Sequence, residues 1–88
     1  MTEITMYTTT YCPYCVRAKD LLKRKGFLVT KEIDVTTSDD LRFEMMKLSQ
    51  GRKTVPQIFI GHKHVGGFDD LAALDRAGEL DKLLNPGR

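Results

Sequence analysis

No run of apolar residues in this chain approaches the roughly 18 that a membrane-spanning helix needs. No internal repeat, low-complexity tract or linker-like stretch breaks it up. Neither sign of charge dominates: 14 Lys and Arg against 12 Asp and Glu leave a formal +2. That excess is too small to argue for nucleic acid or an anionic membrane as partner. The opening MTEITMY has an acid near its start and no apolar block behind it, so it does not read as a secretory leader, and the expectation is a cytoplasmic protein. Cysteine is scarce, with only two residues. In a reducing compartment such a pair is more often catalytic or metal-binding than a permanent crosslink.

What is present fits a soluble α/β protein. The 88 residues leave room for one domain, expected to span 1–88, with one modest core. Ile4 to Tyr7 is rich in β-formers and reads as a short strand. From Cys12 the pattern turns helical. Cys15, Ala18 and Leu22 repeat at helical spacing with Leu21 beside them, and Arg17, Lys19, Asp20, Lys23 and Arg24 take the other face. Gly26 is the expected stop. Phe27 to Val35 reads as a second strand, parallel to the first through a right-handed crossover. TTSDD supplies capping hydroxyls and acids for a second helix carrying Leu41, Met45 and Leu48. QIFI and GHKHV read as a hairpin turning at Gly61. Asp69 or Asp70 can cap a helix bearing Leu71 and Leu74, and Leu80, Leu83 and Leu84 suggest one more helical piece. The expected order is β-α-β-α-β-β-α with a mixed sheet.

The two cysteines fall in CPYC, where the first strand gives way to the first helix. A thiolate attacks far better than a thiol. Pro13 suits the first helical turn, where its missing N–H costs nothing. Cys12 then faces the unpaired N–H groups and positive end of the helix, which stabilise a negative sulfur. Cys15 lies on the same side about one turn deeper. Cys12 is therefore the expected attacking sulfur and Cys15 the resolving one. Zinc is the competing use of such a pair, and it needs further ligands. His62 and His64 share a strand face but belong to a polar hairpin tip, where solvated histidines are common, so no metal is expected.

CPYC, then TVPQIFI from Thr54 to Ile60, then GGFDDL from Gly66 to Leu71 occur in that order. Together they resemble the dithiol glutaredoxins, particularly the short bacterial glutaredoxin-3 type, over Ile4 to about Leu84. The resemblance implies a thioredoxin-like fold with a four-stranded sheet in the order 2-1-3-4, its third strand antiparallel. It implies a monomeric oxidoreductase that uses glutathione to reduce protein disulfides and protein–glutathione mixed disulfides. Cys12 would take glutathione as a mixed disulfide, and Cys15 would resolve protein substrates. It also implies a cis bond before Pro56, leaving the Val55 backbone beside Cys12 to pair with an extended peptide. Tyr14, Thr54, Val55 and Pro56 would line the glutathione groove. Gly67, Phe68 and Asp69 would meet the γ-glutamyl carboxylate at a helix start, with Asp69 or Asp70 on its amine.

The chain departs from that family pattern in two places. Thr9 stands where many relatives carry a cation three residues before the nucleophile, and Phe43 stands where they carry Gln, Arg or Lys. Arg42, Arg52 and Lys53 are the candidates to replace the missing charge. A cluster-carrying dimer, with one Cys12 per chain and glutathione as co-ligand, is a different function; Pro13 and Tyr14 argue against it, since relatives of that kind usually carry Gly or Ser near the first cysteine. A thioredoxin-like protein served by a reductase enzyme is a third possibility, opposed by CPYC and GGFDDL.

Overall fold

The computed structural model describes residues 2–86. Its elements are β1 (Ile4–Thr8), α1 (Pro13–Arg24), β2 (Lys31–Asp34), α2 (Asp39–Leu48), β3 (Gln57–Ile60), β4 (Lys63–Gly66), α3 (Phe68–Arg76) and α4 (Leu80–Leu84). The four strands form one sheet in the order β2-β1-β3-β4. β1 runs parallel to β2 and antiparallel to β3, and β3 pairs antiparallel with β4. This is the thioredoxin-like arrangement that the motifs imply. The last short helix is the piece expected from Leu80, Leu83 and Leu84.

The sheet separates two apolar clusters of unequal size. On one face, Ile4, Met6, Ile58 and Ile60 of the strands meet Cys15, Ala18, Leu21 and Leu22 of α1, with Leu71, Leu80 and Leu84 closing the layer. On the other face only Tyr7, Val35 and Met45 are fully buried together. Leu41 is half-buried there, but Leu48 is 53% exposed, against the expectation that it shares the buried face of α2. It borders an open cleft over Tyr7, Ile33 and Phe59 instead of filling it.

The ends of α1 are specified locally. Pro13 occupies the first helical position and Cys12 is the N-cap. At the other end, Gly26 takes φ +88. Its N–H reaches the Lys23 carbonyl at 2.9 Å, and the Phe27 N–H reaches Leu22 at 2.9 Å, the paired bonds of a Schellman stop. This stop shortens the second strand relative to expectation. Phe27 belongs to the helix termination, and Phe27 and Val29 pack against the main core from a loop. β2 starts only at Lys31, where pairing with Thr5 begins. In α2, Ser38 is the N-cap, its Oγ accepting the Leu41 N–H at 3.1 Å.

Candidate active site

Cys12 and Cys15 form a disulfide at the start of α1, with Cα atoms 5.2 Å apart. Cys15 is 2% exposed and packs in the main core, whereas Cys12 is half-exposed at the rim. The Cys12 Sγ sits where an N-cap oxygen normally sits and accepts the Cys15 N–H at 3.1 Å. A negative charge on this sulfur in the reduced protein would meet the same N–H and the positive end of a 12-residue helix. On one flank the disulfide borders a cleft of about 440 Å³ walled by Thr8, Thr10, Lys19 and Glu32.

Two loops carry most of the other candidate residues. The first runs from Arg52 to Pro56, and its Val55–Pro56 peptide is cis, as the resemblance implies. Val55 packs against the same apolar cluster as Cys12 and Phe68. Among the described residues its backbone N–H and C=O make no hydrogen bond, so both remain available to an external strand. Thr54 is exposed and Pro56 buried. The second loop is Gly66–Gly67, leading into α3. The two loops touch: a Cβ placed on Gly67 would lie 3.5 Å from the Pro56 carbonyl oxygen. Tyr14 of α1 packs toward Phe68, their ring centroids 6.1 Å apart, and the Arg17 guanidinium carbon lies 5.3 Å from the Tyr14 ring centroid. The structure therefore seats Cys12, Val55 and Phe68 on one apolar cluster, with Tyr14 against Phe68 and Gly67 against Pro56.

The start of α3 differs from the capping expected of Asp69 or Asp70. The N-cap is Gly67, because the chain is already helical at Phe68. Gly67 has no side chain to offer, so no side-chain acceptor satisfies the first-turn amides from the N-cap position. Asp70 instead reaches back, its Oδ2 accepting the Gly67 N–H at 2.9 Å. The same oxygen accepts from Arg52 Nη1 at 2.9 Å. These two contacts, the Gly67 bond first, hold the Asp70 carboxyl below its ordinary range. Asp69 is exposed and carries neither contact. Gly66 takes φ +116, and a Cβ there would collide with both Asp70 Oδ2 and Arg52 Nη1. Glycine is required at this point for both reasons.

Of the proposed substitutes for the missing cation, Arg52 is engaged by Asp70. Lys53 is exposed and in no ion pair among the described residues. The Thr9 hydroxyl donates to the Tyr11 carbonyl at 3.0 Å, so its proton is spent locally. Phe43 is exposed. The histidines also separate. His62 is exposed, but His64 is half-buried, stacked on Phe59 at 4.9 Å and hydrogen-bonded to Gln57 at 2.7 Å. His64 is thus not the solvated tip residue that its sequence neighbours suggest. Burial, with the Arg52 and Lys63 charges behind it and Asp70 opposing, lowers its pKa. Among the described residues, no three His, Cys, Asp or Glu side chains converge as a metal-ligand set.

A thioredoxin-like sheet with a dithiol pair capping the first helix defines a thiol–disulfide exchange protein. The glutaredoxin family profile matches residues 4–65. Glutaredoxin 3 of Escherichia coli K12 is 51% identical over 84 residues, covering 96% of this chain and 99% of its own. A Brucella melitensis glutaredoxin structure superposes with a TM-score of 0.81 at 52% identity, covering 100% of this chain and 94% of that one. A buckwheat glutaredoxin solved as a glutathione complex superposes with a TM-score of 0.83 at 31% identity, over 94% of this chain and 76% of that one. The chain belongs to the glutaredoxin family, and its chemistry is thiol–disulfide oxidoreduction.

Proposed function

We propose that this protein reduces protein disulfides and protein–glutathione mixed disulfides with glutathione as the reducing co-substrate. The observation that carries this reading is a pair of unsatisfied backbone features on segments that share an apolar cluster with Cys12. Among the described residues Val55 offers an unpaired N–H and C=O, and α3 offers a first turn that Gly67 leaves without a side-chain cap. An extended γ-glutamyl tripeptide fits such a pair, its middle residue laid along Val55 as an added strand. Its γ-glutamyl carboxylate would take the Phe68 and Asp69 amides at the positive helix end. The exposed Asp69 is the better partner for the tripeptide amine, because Asp70 is already bound to Arg52 and Gly67. Tyr14, Thr54 and Pro56 complete the walls, and Lys53 is the cation nearest in sequence for the glycine carboxylate. The buckwheat glutaredoxin complexed with glutathione supports the same ligand class.

The chemistry follows from the two sulfur positions. The Cys12 thiolate attacks the glutathione sulfur of a mixed disulfide. A Cys12–glutathione bond forms, the protein–sulfur bond breaks, and the released protein thiolate takes up a proton. A second glutathione thiolate then attacks the glutathione sulfur on Cys12, returning the Cys12 thiolate and oxidised glutathione. With a protein disulfide, Cys12 forms a mixed disulfide to the protein, and the Cys15 thiolate displaces the second protein thiolate. The resulting Cys12–Cys15 disulfide needs two glutathiones for its reduction. A monomer working in the reducing cytoplasm suffices for every step.

Two variants test this. Cys12→Ser should lose all glutathione-coupled activity. Cys15→Ser should keep reduction of a small glutathione mixed disulfide and lose most protein-disulfide reduction. Activity in Cys12→Ser, or a reaction rate indifferent to glutathione, would refute the reading.

A further inference from the structure

Gln57 is the polar residue in the otherwise apolar β3, and it is 0% exposed. Its amide is fully engaged. Nε2 donates to the Thr54 carbonyl at 3.0 Å and to Thr54 Oγ1 at 3.2 Å. Oε1 lies 2.7 Å from His64 Nε2. The orientation of this amide is forced. The Thr54 carbonyl can only accept, so Gln57 must turn its NH₂ toward it, which leaves Oε1 facing His64. His64 Nε2 must then carry a proton and donate. Phe59 holds the imidazole from the side, ring against ring at 4.9 Å, through the cross-strand pair Phe59–His64.

The far end of this chain of bonds is the Thr54–Val55 peptide, which the proposed function sets against the tripeptide. In a planar trans peptide the C=O and the following N–H point in opposite directions. The Thr54–Val55 peptide is trans, since the cis bond is the next one. Drawing the Thr54 carbonyl toward Gln57 therefore turns the Val55 N–H outward, away from the β3–β4 interior. That N–H has no internal partner among the described residues.

We propose that His64 is a positioning residue for the substrate trough: by donating to Gln57 it fixes the Thr54 carbonyl and so the direction of the Val55 N–H. Without His64, the buried Oε1 of Gln57 loses its donor. An unpaired buried carbonyl is costly enough to draw the amide out of register and release Thr54. The effect falls on tripeptide binding and leaves sulfur chemistry at Cys12 alone. The proposal rests on glutathione being the tripeptide that Val55 receives.

His64→Phe keeps the stacking on Phe59 and removes the donor. Gln57→Met keeps the volume and removes the bonds to Thr54. In each, the KM for glutathione should rise about threefold to tenfold, the range expected for one lost hydrogen bond. The kcat should stay within about twofold, and the pH profile of Cys12 alkylation should match the unsubstituted protein. The double variant should be no worse than Gln57→Met, because the two act in series. A KM unchanged in both single variants overturns the proposal while leaving glutathione dependence intact. An unsubstituted protein that never saturates with glutathione overturns the functional reading and this inference with it. If both variants fail to fold, the unsubstituted protein decides by NMR. The Gln57 side-chain amide protons should exchange slowly, and the Val55 amide resonance should shift on titration with S-methylglutathione. A Gln57 amide exchanging at the solvent rate, or an unmoved Val55 resonance, overturns the assignment.

Discussion

The Arg52 guanidinium and the Asp70 carboxylate meet at 2.9 Å, joining the loop before β3 to the first turn of α3. Because the same carboxylate oxygen holds the Gly67 N–H, one atom sets the spacing between the two loops. Asp70 is therefore a brace of the site, and its charge has a pH signature. Its pKa is depressed in the folded protein. Its contribution to stability is present above the unfolded carboxylate value of about 4 and is lost as pH falls through the folded value. Both partners are more than a third exposed, so solvent screening keeps the ion pair at about 1 kcal/mol or less. Asp70→Asn should melt below the parent at pH 7, and the gap should close in acid below about pH 4. Thermal unfolding of both proteins across pH 2–7 checks this, and a gap that survives full protonation would show that charge is not its cause.

Gly66→Ala should destabilise the protein by about 2 kcal/mol or more, since it adds left-handed backbone strain to a collision with Asp70 and Arg52. It should also raise the KM for glutathione, because the colliding atoms are the brace itself. Urea unfolding and steady-state kinetics on the same preparation measure both effects. A neutral result in the unfolding midpoint would contradict the geometry.

Tyr7 donates to Glu44 Oε1 at 2.8 Å, and burial together with that acceptor pushes its pKa up to about 12. For a phenol raised in this way, the stabilisation is complete below the unfolded value near 10 and disappears as pH rises through the folded value. Ultraviolet titration should therefore show a late phenol ionisation, and Tyr7→Phe should remove that step. The substitution should cost about 1 kcal/mol at neutral pH.

Thr9→Lys should restore a cation three residues before Cys12. The Thr9 hydroxyl is committed to the Tyr11 carbonyl, so it offers a carboxylate little. The KM for glutathione should fall roughly twofold to fivefold, the size of an exposed ion pair. An unchanged KM would mean that the missing cation does not limit binding and that Lys53 or another group already supplies it.

Elements whose signals are local were legible in the sequence. The α1 spacing of Cys15, Ala18, Leu21 and Leu22 names its buried face, and Pro13 and Gly26 mark its ends. The hairpin turn at Gly61 was equally plain. Where tertiary partners decide, the sequence misled. Phe27 to Val29 has strand composition, but the Schellman stop and the core claim those side chains before pairing with β1 begins. Leu48 keeps helical spacing with Met45, yet the cluster beneath α2 ends before reaching it. The helix start at Phe68 follows from Gly67 in extended backbone, a conformation that composition does not report. The polar wiring was the least visible. Nothing in GHKHV separates buried His64 from exposed His62, although a glutamine opening an apolar strand was a clue that something had to satisfy it.

The two unequal clusters give the molecule two tiers of cohesion. Backbone amides of β1, β3 and α1 should exchange with deuterated solvent only through whole-molecule opening, while those of α2, held mainly by Met45, should exchange through a cheaper local excursion. The segment that follows α2 leads straight to Val55. Fraying of one modest helix would thus be felt as slack in the ledge proposed to receive the substrate, so solvents or substitutions that loosen Met45 should erode affinity well before they erode the fold.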